Sequence, residues 1–157
     1  MVKSQRERVL SKATGDVLKA IFALETSTRV ALPSDIAVRT GTSRAFVTKM
    51  LKDMTVRGLV RYAPYQGVRL TAEGAKNATE LARHHRLLER FLTDVLGFTP
   101  GGAHTEAERL EHVISEEFEA RLADFLNHPT TCPHGAPIPN PDGTLPVVAP
   151  APAEAVS

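Results

Sequence analysis

A short glycine-bearing turn between two amphipathic segments constrains the fold of this chain more than any other feature. The turn is TGTS at residues 40–43. Before it, Ser34 can cap a short helix, and after it Ser43 can cap a second helix over residues 43–57, which ends near Gly58. Apolar residues recur in the second helix at helical spacing: Phe46, Val47, Met50, Leu51 and Met54.

The flanking segments extend this pattern. Residues 9–26 are predicted to form a first helix, and residues 60–74 predict a β-hairpin whose turn contains Pro64 and Gly67. Two helices, a short turn, a third helix and a hairpin are typical of a winged helix-turn-helix, which binds duplex DNA. The expected fold class is therefore mainly α, with a winged helix-turn-helix over residues 1–74 followed by a helical domain.

Charge is divided unevenly between the two halves of the chain. Residues 1–71 contain 13 lysines and arginines against 5 acidic residues, whereas residues 72–157 contain 6 against 13. A basic half favours a polyanion such as DNA, and an acidic half suits a cation. The side chains predicted to contact a double-stranded operator are Ser43, Arg44, Thr48, Lys49, Lys52, Arg61, Tyr65, Gln66 and Arg69. The alternative is a small helical domain whose basic residues are only solvated.

Residues 103–117, AHTEAERLEHVISEE, are predicted to be helical and to align four potential metal ligands. Glu108, Glu111 and His112 stand at i, i+3 and i+4, and His104 lies one turn earlier. Residues three and four apart are neighbours on a helix, so these side chains can converge on a divalent ion. The alternative is the solvated face of an ordinary amphipathic helix.

Residues 72–98 are predicted to form one long helix with a broad apolar stripe. The stripe exceeds what one small domain needs, which favours a helix–helix interface in a homodimer. Its apolar members are Leu81, Leu87, Leu88, Phe91, Leu92, Val95 and Leu96. His85 lies on the same stripe, with Glu89 at i+4. Such a histidine is either a hydrogen-bonded core residue or half of a metal site.

The ends of the chain differ from its middle. Residues 1–8 are polar and are expected to be loose. Residues 128–157 hold 8 of the 11 prolines, which predicts an extended stretch and then a disordered Pro/Ala-rich tail over residues 141–157. Cys132 and His134 form a C-x-H pair without evident partners, and we interpret them as structural or turn residues.

Composition excludes several classes of protein. The single cysteine excludes an internal disulfide. The sequence has no apolar run near the ~20 residues that span a bilayer, and it shows no secretory signal. These features predict a cytoplasmic protein that does not interact with a membrane.

The order of the motifs resembles the diphtheria toxin repressor family of metal-dependent transcriptional regulators. The winged helix-turn-helix is followed by HRLLERFLTDVLG at residues 85–97, H-x-E-A-E-x-L-E-H at residues 104–112 and CPHGAPIP at residues 132–139. The resemblance covers residues 9–140. It implies a homodimer that binds operator DNA when loaded with Mn²⁺ or Fe²⁺ and that represses genes of metal-ion homeostasis.

The resemblance also implies which residues bind metal. The principal site corresponds to Asp16, Glu108, Glu111 and His112, and the ancillary site to His85, Glu89 and His104. In the iron-sensing branch, the positions that correspond to Asp16 and Glu108 carry sulfur ligands. In this chain both positions carry carboxylates, which favour Mn²⁺. The manganese branch has another carboxylate where this chain has Lys19. Longer members carry an SH3-like domain, which this chain is expected to lack.

These observations predict a DNA-binding domain over residues 1–74 and a helical metal-binding and dimerisation domain over residues 75–140. Two alternatives differ in function. The sequence ERLEH at residues 108–112 is one residue from the H-x-x-E-H pattern of zinc peptidases, but the first histidine is missing, so neither an enzyme nor a small-molecule substrate is expected. The other alternative is a winged-helix regulator that metal does not control, in which the acidic stripe is only solvated surface.

Overall fold

The computed structural model describes residues 10–28 and 30–147. These residues form six helices and one two-stranded antiparallel sheet, so the mainly α fold class is confirmed. They divide into two compact units between Thr79 and Glu80. The predicted loose residues 1–8 and the last ten residues of the predicted tail lie outside the described part. No helix in the described part is long and apolar enough to cross a membrane.

The first unit contains the predicted winged helix-turn-helix. Its elements are α1 (Lys12–Thr28), α2 (Pro33–Thr40), α3 (Arg44–Val56), β1 (Val60–Ala63) and β2 (Gly67–Leu70). The three helices bury their apolar stripes in one shared core, as amphipathic helices do in a small domain. Fully buried members of this core include Leu18, Ile21, Ile36, Val47, Leu51 and Met54.

The two helices of the turn motif begin in different ways. The predicted cap by Ser34 is wrong, because α2 already begins at Pro33 and has no side-chain cap. Proline suits this position since its fixed φ is helical and its missing N–H would have no partner there. The predicted cap by Ser43 is confirmed, because its side chain accepts a hydrogen bond from Phe46 N at 3.1 Å. This cap fixes where the predicted recognition helix starts.

The hairpin is attached to the helices through its second strand. The backbone N–H of Leu70 donates to Glu25 Oε1 on α1 at 2.9 Å, and that of Val68 donates to Ala31 O at 2.8 Å. Gly67 has φ +83°, and a Cβ there would lie 3.1 Å from Ala31 O, so the chain needs glycine at this turn. These contacts hold the hairpin, the predicted wing, beside the helices.

The second unit is built on a long helix. α4 (Ala72–Asp94) starts in the first unit and continues into the second, where α5 (Pro100–Leu110) and α6 (Glu116–Phe125) follow. α4 ends earlier than the predicted limit at residue 98, and Gly97 takes a left-handed φ of +74° just beyond it. The core of this unit contains Leu87, Leu88, Leu92, Ala103, Ala107, Leu122, Ala123 and Ile138.

The single helix predicted over residues 103–117 is wrong. α5 ends at Leu110, and Ser115 caps α6 by accepting a hydrogen bond from Phe118 N at 3.1 Å. A serine at this position stabilises a new helix start better than it stabilises a helix interior. Glu111 and His112 therefore lie just beyond the end of α5 and not on a continuous helical stripe.

The proline-rich stretch after α6 follows a defined path along α4. Three arginines of α4 donate to its backbone carbonyls: Arg83 to Pro139 (2.8 Å), Arg86 to Pro137 (2.5 Å) and Arg90 to Thr131 (2.7 Å). Cys132 and Ile138 are buried. Further on, the backbone N–H of Asn140 donates to Thr144 O at 2.8 Å and closes a turn. Hydrogen bonds from side chains thus replace the regular structure that proline prevents.

Gly74, in the first turn of α4, packs directly on backbone. A Cβ at this position would lie 1.9 Å from Leu59 O, so Gly74→Ala forces the helix away from the backbone just before β1. We expect a loss of about 1–3 kcal/mol in unfolding free energy, as for other overpacked sites, measured by urea denaturation. Gly101→Ala is the control, since a Cβ there meets open space and alanine should be neutral or stabilising by about 0.5–1 kcal/mol. Parental stability of Gly74→Ala would contradict this packing.

Candidate metal centre and DNA-binding surface

Two groups of potential metal ligands share one carboxylate in the second unit. Ligand atoms of His85, Glu89 and His104 lie within 4.8 Å of one another, and those of Glu89, Cys132 and His134 meet the same limit. α4 supplies His85 and Glu89, and α5 supplies His104. The stretch after α6 supplies Cys132 and His134. Folding therefore brings together nitrogen, oxygen and sulfur ligands from three segments.

The Glu89 carboxylate is buried among three imidazoles. Its side chain is only 3% exposed, and its Oε1 lies 3.1 Å from His85 Nε2. Its Oε2 lies 3.0 Å from His134 Nδ1 and 3.4 Å from His104 Nδ1, yet this buried oxygen has no hydrogen-bond partner. The oxygen and the nitrogens approach each other without the angles that a hydrogen bond requires. Such a buried, unsatisfied oxygen fits a bound cation.

Electrostatics keep this carboxylate ionised. Burial raises the pKa of Glu89. The hydrogen bond from His85 and the charges of His85, His134 and His104 lower this pKa by more than burial raises it. The net result is a pKa below the ordinary value for glutamate. Glu89 therefore offers an anionic oxygen at neutral pH.

His85 is oriented by a second carboxylate. Its Nδ1 lies 2.8 Å from Glu111 Oε2, and the carboxylate can only accept, so Nδ1 carries the donated hydrogen. Nε2 faces Glu89 and lies 3.1 Å from His104 Nδ1, so it can donate to the carboxylate or, once deprotonated, offer its lone pair to a cation. A carboxylate that fixes the imidazole in this way is common behind metal-binding histidines.

Of the residues predicted for the principal site, Glu111 and His112 lie side by side in the second unit. Glu111 is buried, and its Oε1 lies 3.2 Å from His112 Nε2. The half-exposed side chain of Glu108 instead pairs with His104, at 3.1 Å between Oε1 and Nε2. Asp16 lies on α1 of the first unit, where Lys12 Nζ is 3.0 Å from its carboxylate.

Sequence reasoning missed two candidate ligands. The sequence favours structural or turn roles for Cys132 and His134, because it shows no partner for them, but the fold places them beside Glu89. The C-x-H spacing was the available signal. The partner could not be found in the sequence, because it depends on how the stretch after α6 docks on α4.

The predicted DNA-binding residues are exposed in the first unit, except Thr48, which is half-buried. On α3, Arg44, Thr48, Lys49 and Lys52 line an open depression together with Ala45. Ser43 and the four hairpin residues, Arg61, Tyr65, Gln66 and Arg69, are also exposed. Arg61 is paired with Arg69 directly across the two strands. Like charges in that position destabilise a hairpin unless an anion such as a phosphate lies nearby, which favours a nucleic-acid partner.

Curated proteins similar to this chain are named as repressors or transcriptional regulators. The iron-dependent repressor IdeR of Mycobacterium leprae is 42% identical over 122 residues, which are 78% of this chain and 53% of that protein. The transcriptional regulator MntR of Escherichia coli O6:H1 is 47% identical over 83 residues, or 53% of each protein. The chain thus spans about half the length of the curated relatives it matches.

Solved structures and family models agree with these similarities. A manganese-dependent transcriptional repressor in complex with manganese has a TM-score of 0.80 and 35% identity, over 86% of this chain and 62% of the other. Residues 9–68 match the iron-dependent repressor N-terminal DNA-binding domain, and residues 71–140 match the iron-dependent repressor metal-binding and dimerisation domain. The chain therefore belongs to the iron-dependent repressor family, to which the diphtheria toxin repressors also belong.

Proposed function

We propose that this chain is a transcriptional regulator that binds operator DNA as a homodimer when loaded with Mn²⁺ or Fe²⁺. Residues 1–74 form the DNA-binding domain, residues 75–140 form the metal-binding and dimerisation domain, and the protein acts as a repressor in the cytoplasm. The observation that carries the proposal is the buried Oε2 of Glu89, which faces two imidazole nitrogens and has no hydrogen-bond partner.

Two metal sites follow from the ligands. The ancillary site uses His85, Glu89 and His104, to which the geometry adds Cys132 and His134. The principal site uses the buried Glu111 and the adjacent His112, and the family pattern adds Asp16 and Glu108. A bound divalent cation would neutralise carboxylates that otherwise repel one another. Metal binding would therefore stabilise the conformation in which these ligands lie close together.

The ligand sets suggest different metal preferences. The principal site has three carboxylates and one imidazole, which suit Mn²⁺. The ancillary site includes a thiolate and several imidazoles, which also suit Fe²⁺ and softer ions. We therefore propose Mn²⁺ at the principal site and a broader choice at the ancillary site.

Dimerisation requires an apolar surface that the described unit does not bury. The predicted stripe on α4 is mostly internal, because Leu87, Leu88 and Leu92 are buried in the core of their own unit. Exposed apolar side chains instead follow α4, where Leu96 is 55% and Phe98 is 38% exposed. Such side chains can be covered by a second copy.

A winged-helix regulator without metal control is the alternative function. It requires the acidic residues to be exposed to solvent, or to be buried with a hydrogen-bond partner for every carboxylate oxygen. Glu89 and Glu111 are both buried, and Glu89 Oε2 is unsatisfied. Burying a carboxylate oxygen without a hydrogen bond is costly, so this alternative explains the site less well.

Glu89→Gln tests the ancillary site with little change in shape. The amide loses the negative charge, so we expect Co²⁺ affinity at this site to fall at least tenfold, in line with the effect of disturbing a metal's ligand environment. Absorption titration measures it, because the Cys132 thiolate gives a charge-transfer band with Co²⁺. Glu106→Gln on α5 is the control, and its affinity should be parental. An unchanged affinity in Glu89→Gln would show that Glu89 is not a ligand.

Lys49→Ala tests the DNA-binding surface. Lys49 is exposed on α3, and each phosphate contact that is lost should lower the slope of log affinity against log salt by about 1. The measurement is fluorescence anisotropy with labelled duplex at several salt concentrations and saturating Mn²⁺. Lys76→Ala, an exposed lysine on α4, should keep the parental slope. Equal slopes for the two variants would remove Lys49 from the DNA surface.

A further inference from the structure

A charged network lies behind the ligands of the second unit, and its three charged side chains, Arg83, His84 and Glu119, belong to neither ligand set. His84 is buried on α4, next to His85. Its Nδ1 lies 3.2 Å from Glu111 O, and its Nε2 lies 3.1 Å from Glu119 Oε2 on α6. The network therefore joins α4 to the end of α5 and the beginning of α6.

The partners of His84 determine its hydrogen-bonding role. A backbone carbonyl and a carboxylate are both acceptors, so the ring donates from both nitrogens and carries a positive charge. Glu119 accepts a second bond from Arg83 Nε, and Arg83 also donates to Pro139 O at 2.8 Å. The Glu119 carboxylate thus lies between two cations of α4.

The charged forms of His84 and Glu119 stabilise each other. Burial lowers the pKa of His84, but its bonds to Glu119 and to the Glu111 carbonyl outweigh this and raise the pKa above the ordinary value. Burial raises the pKa of Glu119, and its bonds to His84 and Arg83 reverse this and lower it. Both groups are therefore favoured in their charged forms.

The carbonyl that His84 holds belongs to Glu111, immediately after the last residue of α5. Carbonyls at a helix end lack helical partners, and a cation there is stabilising. The side chain of the same residue is held by His85 Nδ1 at 2.8 Å, and its Oε1 lies 3.2 Å from His112 Nε2. Two consecutive histidines of α4 therefore fix Glu111 through both its backbone and its side chain.

We propose that His84 and Glu119 are positioning residues for the principal metal site, which hold the Glu111–His112 backbone in the orientation that presents both ligands. Neither residue contacts the metal. The inference rests on the proposed metal-binding function, and it predicts that these two residues affect one site and spare the other. If the two residues contributed only to the general stability of the fold, replacing either of them would weaken metal binding at both sites alike.

The test uses the full chain and Co²⁺. The Co²⁺ equivalent that gives the thiolate charge-transfer band of Cys132, called the first, reports the ancillary site. The equivalent without this band, called the second, reports the principal site. We expect Glu119→Gln and His84→Leu to weaken the second equivalent about 10–100-fold, as for other residues behind metal ligands, and to change the first less than threefold. Glu119→Gln is nearly isosteric and decides the matter if His84→Leu does not fold.

Glu117→Gln is the matched control, because Glu117 lies in the same first turn of α6 but is 76% exposed and bonds only to Arg121 among the described contacts. It should bind both equivalents as the parent does. The proposal is overturned if Glu119→Gln keeps parental affinity at both sites, weakens both equally, or behaves like Glu117→Gln. If the parent itself binds no second equivalent, the principal site of the proposed function fails, and this inference fails with it.

Discussion

The buried carboxylate of Glu89 is the constraint on which the second unit depends. Its side chain is 3% exposed, and one of its oxygens faces two imidazole nitrogens without a hydrogen bond. Removing a carboxylate from water is costly unless charge and ligation compensate it. A divalent cation supplies both, and at this position it would join α4, α5 and the stretch after α6.

Two features extend this constraint to the rest of the unit. Arginines of α4 fix the proline-rich stretch by its carbonyl groups, so Cys132 and His134 reach Glu89 although their segment has little regular structure. Glu111 bonds to His85 and lies beside His112, so a ligand of one proposed site orients a ligand of the other. Metal binding that favours the DNA-binding conformation must, by linkage, be strengthened by DNA.

Local patterns predicted the first unit well and the site less completely. The turn at residues 40–43, the Ser43 cap and the hairpin follow from short-range chemistry, and the structure contains them. Sequence periodicity could not show that α5 ends at Leu110, because the apolar spacing continues past the break and only the Ser115 cap marks it. Nor could it show Cys132 beside Glu89, since that contact depends on tertiary docking. Helical spacing indicated the other predicted ligands, and only Asp16 came from the motif resemblance alone.

Retention of pooled genomic fragments by the full chain tests the account most directly. Fragments are incubated with the protein in EDTA, with added Mn²⁺, or with Fe²⁺ under anaerobic reducing conditions, and the bound DNA is sequenced. The account predicts that specific fragments are retained only with metal and that they share one operator sequence. Equal retention of the same fragments in EDTA would contradict it, because DNA binding would then be independent of the metal centre.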